Sequence, residues 1–313
     1  MSTGASSPSI LVSGVSRSFG STTVVHEANL SVHPGQITAL VGPNGSGKTT
    51  LMLMLATLLK PDSGEIRIGG HDAVQNPRAA RATLGWMPDA LGVWDSLTVR
   101  ETLIAVCAMY GISGLAAGER VEALLTETAL TALAGQRSHT LSRGQKQRLS
   151  LARALVHKPS VLLLDEPASG LDPEARLAQR QALEKLSNEG TAILITSHVL
   201  DELEQLANDV VFLREGHTST DETVADAMRH NTRWRIRAID ITTLDEALAA
   251  LHTPVTPQAL LSGESRVVEL TNNAEAAELL RSLVTAGVQI IEFSPATGSL
   301  EQAFLRFNQE ATQ

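Results

Sequence analysis

A chain of 313 residues with 43% hydrophobic content can bury a sizeable core and hold two domains. Its 25 basic and 34 acidic residues leave a formal charge of -9, which argues against sequence-independent binding to nucleic acid or anionic lipid. Cys107 is the single cysteine, so an intrachain disulfide and a cysteine-rich metal site are excluded, as suits a reducing cytosol.

Residues 1–9, "MSTGASSPS", lack the charged and apolar regions of a signal peptide and are expected to form a flexible tail. From residue 10 to about 222, strand-like runs alternate with helical ones, the pattern of a mostly parallel sheet covered by helices. "ITALVG", "VLLLDEP" and "TAILITSH" are its expected buried strands. The first leads into "GPNGSGKT", which fits G-x-x-x-x-G-K-[ST] and opens the helical run "TLMLMLATLL". Gly42, Pro43, Asn44, Gly45, Ser46, Gly47, Lys48, Thr49 and Thr50 thus form a candidate phosphate cradle. Gly45 and Gly47 let backbone N–H groups point inward, Lys48 places a charge between the β and γ phosphates, and Thr49 can hold magnesium. The competing view is a glycine-rich turn with an exposed lysine.

Residues from about 95 to 157 are expected to form a helical subdomain inserted into the sheet domain. Within it, "TLIAVCAMYGISGLAAG" is the longest uncharged run, but Gly111, Ser113 and Gly114 break it and it is too short to span a bilayer. It reads as a helix ending near Tyr110, with Thr98 and Glu101 at capping-box spacing at its start. The last helix of this region opens with "LSRGQKQR". Ser142, Gly144 and Gln145 leave its N-terminus uncrowded and rich in donors, a second place for an anion, yet Ser142 and Gln145 also stand at capping-box spacing. Local physics leaves both open. At the end of "VLLLDEP", Asp165 can reach a magnesium shell and Glu166 can activate a water molecule. The bland alternative is an acidic strand end. "ASGLDPEAR" follows as a polar turn in which Asp172 can cap a helix, and His198 ends "TAILITSH", either solvated or near a γ-phosphate. Beyond "VVFLREG", a linker at 223–231 leads to residues 232–313, which read as strand, helix, two strands, helix, strand and a last helix, a small ferredoxin-like α+β domain.

"GPNGSGKTT", "LSRGQKQR", "VLLLDEP", "SGLD" and His198, in that order across residues 10 to about 220, resemble the ATPase subunits of ATP-binding cassette (ABC) transporters. The resemblance implies ATP and magnesium as cofactors and two subunits paired head to tail. Ser142, Gly144 and Gln145 would then serve nucleotide held by the opposite phosphate loop, and Asp172 is placed among the nucleotide-binding residues. It puts Phe19 where an aromatic ring stacks on adenine, although Phe19 is equally readable as core. It gives Lys48, Glu166 and His198 catalytic roles, and Thr49, Asp165 and Asp89 places around the metal. Two positions depart from the pattern. Arg143 stands where a glycine is usual and would sit near an incoming phosphate; Asp89 stands where a glutamine is usual, and a bridging water to magnesium suits its shorter carboxylate.

With no expected membrane span, the resemblance implies separate transmembrane permease subunits, and a place on the cytoplasmic face of the membrane held through them. The ending "GSLEQAFLRF" resembles extensions of the ATPases that serve ABC-2 type exporters, drug-resistance systems included. A non-transport ABC ATPase acting on ribosome or DNA is the main alternative, set against a single cassette, no long heptad segment and an acidic balance. A nucleotide-binding scaffold without turnover is another, opposed by Glu166 and His198.

Overall fold

The computed structural model describes residues 7–90, 92–197, 199–219, 233–251, 253, 265–270, 273–295 and 300. The chain divides into two compact units, Met1–Thr220 and Asp221–Gln313.

The first unit holds two sheets. β1 (Ile10–Phe19), β2 (Thr22–Val32), β4 (Ser63–Ile68) and β5 (His71–Asp72) form an antiparallel sheet ordered β2-β1-β4-β5. The pattern of buried runs did not separate this sheet from the parallel one. Its alternation is interrupted in β1, where the register shifts between Val12 and Val15 and Gly14 takes φ 58°, so one strand changes phase midway.

The second sheet runs β10-β9-β3-β8-β7-β6, from β3 (Ile37–Val41), β6 (Leu84–Met87), β7 (Val161–Asp165), β8 (Ala192–Thr196), β9 (Asp209–Arg214) and β10 (His217–Ser219). Neighbours from β9 to β6 are parallel, and β10 is an antiparallel edge. Every position of β3, β7 and β8 is buried, which is why these strands read as nearly continuous apolar runs. α1 (Lys48–Leu55) follows β3 and buries Leu51, Met52, Met54 and Leu55 in the core that both sheets share, beside Ile10, Val12, Leu163 and Leu194. A helix covered on most sides needs apolar residues on most sides, as "LMLML" supplies.

After α2 (Pro77–Thr83) and β6 come α3 (Val99–Met109), α4 (Gly114–Glu127) and α5 (Arg143–Leu155), the expected helical insertion. Thr98 and Glu101 close the start of α3 as a capping box, and the helix stops at Tyr110, before Gly111 at φ 75°. α6 (Pro173–Asn188) and α7 (Leu200–Leu206) complete the described helices of this unit.

In the second unit β11 (Arg233–Ala238), α8 (Ile241–Ala250), β12 (Ser265–Glu269), α9 (Asn273–Thr285) and β13 (Ile290–Pro295) follow one another. β11 lies between β12 and β13 and is antiparallel to both, the arrangement a ferredoxin-like module gives its first, third and fourth strands. Ile236, Val268, Leu244, Leu248 and Leu283 form its core. The remaining expected strand, the last helix and the linker at 223–231 lie outside the described residues.

Candidate active site

The parallel strands deliver their C-terminal ends to one region, where open α/β sheets keep their ligands. From Val41 the chain turns through Gly42–Gly47 into α1. Gly47 stands at φ 105°, and a Cβ there would lie 2.7 Å from the Val24 carbonyl oxygen; a Cβ on Gly42 would lie 2.1 Å from the Leu213 carbonyl oxygen. Neither position has room for a side chain. No side chain caps the start of α1, so its leading N–H groups and the positive end of its dipole suit an anion. Lys48 Nζ donates to the carbonyls of Gly42 at 2.7 Å and Pro43 at 3.0 Å. Burial pushes the Lys48 ammonium below its ordinary pKa, against the opposing pull of the Glu166 and Asp165 charges.

Asp165 ends β7 and is 6% exposed. Burial raises its carboxyl above the usual carboxylate range, and the charges of Asp89 and Glu166 push the same way; a hydrogen bond from Thr196 and the charge of Lys48 oppose them. Thr196 Oγ1 donates to Asp165 Oδ1 at 2.6 Å and accepts from the Glu166 N–H at 3.0 Å, so one hydroxyl links both acidic residues to β8. Glu166 itself takes φ 52°, a left-handed conformation uncommon for a residue with a long side chain.

Asn44, Gly45, Gly47, Lys48, Thr49 and Thr50 line a cleft of about 610 Å³, and Asp89, Asp165 and Glu166 line the same cleft. A cleft with an uncapped helix start, a lysine, a threonine hydroxyl, the buried Asp165 carboxylate and the more exposed Glu166 and Asp89 fits a polyphosphate with a divalent ion. Val24 and Ser169 join it without a signal in the sequence. Arg143, expected near a phosphate arriving from another chain, lines the cleft of its own chain and donates from Nη2 to Ser169 Oγ at 2.8 Å.

Other expected residues lie elsewhere. Phe19 ends β1 with 49% of its surface exposed and the Arg17 guanidinium 4.9 Å from its ring centre, so the core alternative does not hold. Ser46 is buried, and its hydroxyl has no hydrogen-bond partner among the described residues. Ser142 and Gln145 cap α5 reciprocally: Ser142 Oγ accepts from the Gln145 N–H at 3.3 Å, and Gln145 Oε1 accepts from the Ser142 N–H at 2.9 Å. Gly144 sits in the first turn of that helix, and Asp172 Oδ1 caps α6 by accepting from the Ala175 N–H at 2.8 Å. His198 lies outside the described residues.

Residues 25–169 match the family model described as ABC transporter. The chain is 45% identical over 186 residues to "Probable multidrug ABC transporter ATP-binding protein YbhF" of Escherichia coli (strain K12), covering 59% of this chain and 32% of that protein. The chain thus spans about a third of that relative's length. It is 32% identical over 295 residues to "Nod factor export ATP-binding protein I" of Rhizobium sp. (strain N33), covering 94% of this chain and 95% of that one. A solved structure titled "Structure of ATP binding subunit of ABC transporter" superposes with a TM-score of 0.64 at 27% identity, over 69% of this chain and 91% of that chain. With the phosphate loop, the paired acidic residues and the capped α5 already placed, these similarities make the chain a member of the ABC transporter ATP-binding protein family.

Proposed function

We propose that this chain binds ATP with magnesium in the cleft between α1 and the end of β7, hydrolyses it, and powers export through a separate membrane-spanning partner. The observation that carries this reading is the meeting of Lys48, Thr49, Asp165 and Glu166 in a single cleft at the start of an uncapped helix. The N–H groups leading α1 and the Lys48 ammonium bind the phosphates. Thr49 and Asp165 would hold the metal, with Asp89 nearby through a water molecule. Magnesium, when bound, neutralises charge on the phosphates. Glu166 takes the proton of the attacking water, and its backbone is set for that task by two bonds to Thr196. His198 is assigned a supporting contact to the γ-phosphate, and Phe19 a contact to the base.

Ser142, Gly144 and Gln145 are assigned to nucleotide held by a second copy, in a head-to-tail pair. Their absence from the lining of the chain's own cleft supports that assignment. The names of the relatives favour export, and no helix among the described residues is long and apolar enough to cross a membrane, so the reading includes transmembrane permease subunits on other chains and a peripheral place at the cytoplasmic face. A separate regulatory or dimer-stabilising role is assigned to the second unit.

Glu166→Gln tests the catalytic assignment. It keeps the shape of the side chain and removes the base, so hydrolysis should slow at least about a hundredfold while ATP stays bound in a longer-lived dimer. Phosphate release at a near-normal rate from that variant would remove Glu166 from the mechanism.

A further inference from the structure

Glu166 occupies a conformation that costs free energy, and such conformations persist only where the surroundings over-determine them. Thr196 supplies one side of that restraint, through the Glu166 N–H. The other side comes from α5. Gln147 Nε2 donates to the carbonyl oxygens of Glu166 and Ser169, each at 3.2 Å, while Arg143 donates to Ser169 Oγ. The Ser169 N–H also bonds back to the Glu166 carbonyl at 3.1 Å. Arg143 and Gln147 are four residues apart, one above the other on a single face of α5.

Gly170 fits the same grip. It takes φ 76°, and a Cβ there would lie 2.6 Å from Arg143 Cδ and 2.7 Å from Nε, so the loop passes directly under the arginine stem. Gln147 is fully buried, and its Oε1 has no hydrogen-bond partner among the described residues. An orphaned buried acceptor works against stability and offsets what the two donated bonds contribute. A methionine would fill the space without that cost. What glutamine alone provides is a fork that holds two carbonyls of one loop in register.

We infer that Arg143 and Gln147 form a clamp on the Glu166–Gly170 loop and act as positioning residues that keep the Glu166 carboxylate directed at the phosphate cleft. The inference rests on the hydrolytic role proposed for Glu166. It also gives Arg143 a task within its own chain. The loop is held from the helical subdomain by α5 and from the sheet by Thr196, so the general base depends on both.

The full chain is tested as Gln147→Met, Arg143→Met, Ser169→Ala and the Arg143→Met/Ser169→Ala pair. Two readouts are taken: amide hydrogen exchange at Ser169 and Leu171, and single-turnover hydrolysis beside magnesium–ATP affinity. Gln147→Met should speed exchange at those amides at least about tenfold with β7 amides unchanged. It should slow hydrolysis about ten- to a hundredfold, the scale of a misplaced catalytic group, with ATP affinity within about threefold. Arg143 and Ser169 are exposed or part-exposed, so their variants fold even if Gln147→Met does not; each should slow hydrolysis, and the pair should be no slower than the worse single variant. Unchanged exchange, unchanged hydrolysis, additive effects in the pair, or affinity falling as far as rate would each overturn the clamp. A wild-type chain that never hydrolyses ATP would overturn the ATPase reading and the positioning role with it, while exchange would still decide whether α5 holds the loop.

Discussion

The start of α1 carries no side-chain cap, whereas the start of α5 is closed by its own Ser142 and Gln145. Both helix starts follow the same local recipe of small residues and free donors, and the fold finishes them in opposite ways. At α1 the turn is tightened by glycines that pack against backbone, Gly42 on Leu213 and Gly47 on Val24, and the leading N–H groups face a cleft lined by Lys48 and Glu166. At α5 the box uses the N–H groups of Ser142 and Gln145 and does not involve those of Arg143 and Gly144. The first start is built for an anion within its own chain. The second is closed by its own side chains, and in the function proposed above it serves nucleotide held by a second copy.

Glycine substitutions separate the two most sharply. Gly47→Ala forces an unfavourable backbone conformation costing roughly 1–3 kcal/mol, before contact with the Val24 carbonyl is counted. ATP affinity should fall at least about tenfold, and calorimetric titration measures it directly. Gly144→Ala differs in kind. Its Cβ would meet Leu171 Cδ2 at 3.2 Å and the Gly170 carbonyl oxygen at 3.9 Å, and a helix gains roughly 1 kcal/mol from alanine over glycine, so thermal stability should stay within about 1 kcal/mol of wild type. ATP binding to the isolated subunit should be unchanged, whereas dimer-dependent hydrolysis should fall. Equal loss of binding in the two variants would erase the distinction between the helix starts.

Asp165→Asn gives a smaller effect on stability, of the opposite sign. Because burial raises the Asp165 pKa in the folded chain, its ionised form is disfavoured there, and stability of the nucleotide-free protein rises as pH falls through that raised value toward the ordinary carboxylate range. Asparagine removes the penalty at neutral pH and can still accept the Thr196 hydrogen bond. The melting temperature without magnesium should rise by about 1–4 °C and lose part of its pH dependence, while magnesium-dependent nucleotide binding is lost. Scanning calorimetry across pH checks the first part.

Asp89 should matter least to binding. It lines the cleft but is exposed, and a bridging water would leave it outside direct coordination. Asp89→Ala should keep ATP affinity within about threefold, less than 1 kcal/mol. Abolished magnesium-dependent binding in that variant would make it a direct metal ligand.

The phosphate loop was legible because its chemistry is local: eight consecutive residues, running from the end of a buried strand into the first turn of a helix, state the whole device. The parallel strands were legible because burial on both faces makes them apolar runs. The antiparallel sheet was not, since the shift around Gly14 breaks its alternation. Gln147 left no signal either. Its partners are 19 and 22 residues away, and nothing in "QKQR" distinguishes a buried fork from a solvated glutamine. The same distance concealed the contact of Arg143 with Ser169, 26 residues on. At α5 a complete local explanation, the capping box, hides any wider role, so the sequence pattern alone leaves two uses for Ser142.

Mixing two inactive variants decides between those uses. Lys48→Ala damages the start of α1, and Ser142→Arg the start of α5. If α1 binds nucleotide in its own chain and α5 serves the nucleotide of its partner, a mixed dimer holds one intact site and one doubly damaged site. With each variant inactive alone and subunit exchange verified by differently tagged chains, ATP hydrolysis should return on mixing. Mixed dimers that form and stay inactive would contradict that assignment of the two helix starts.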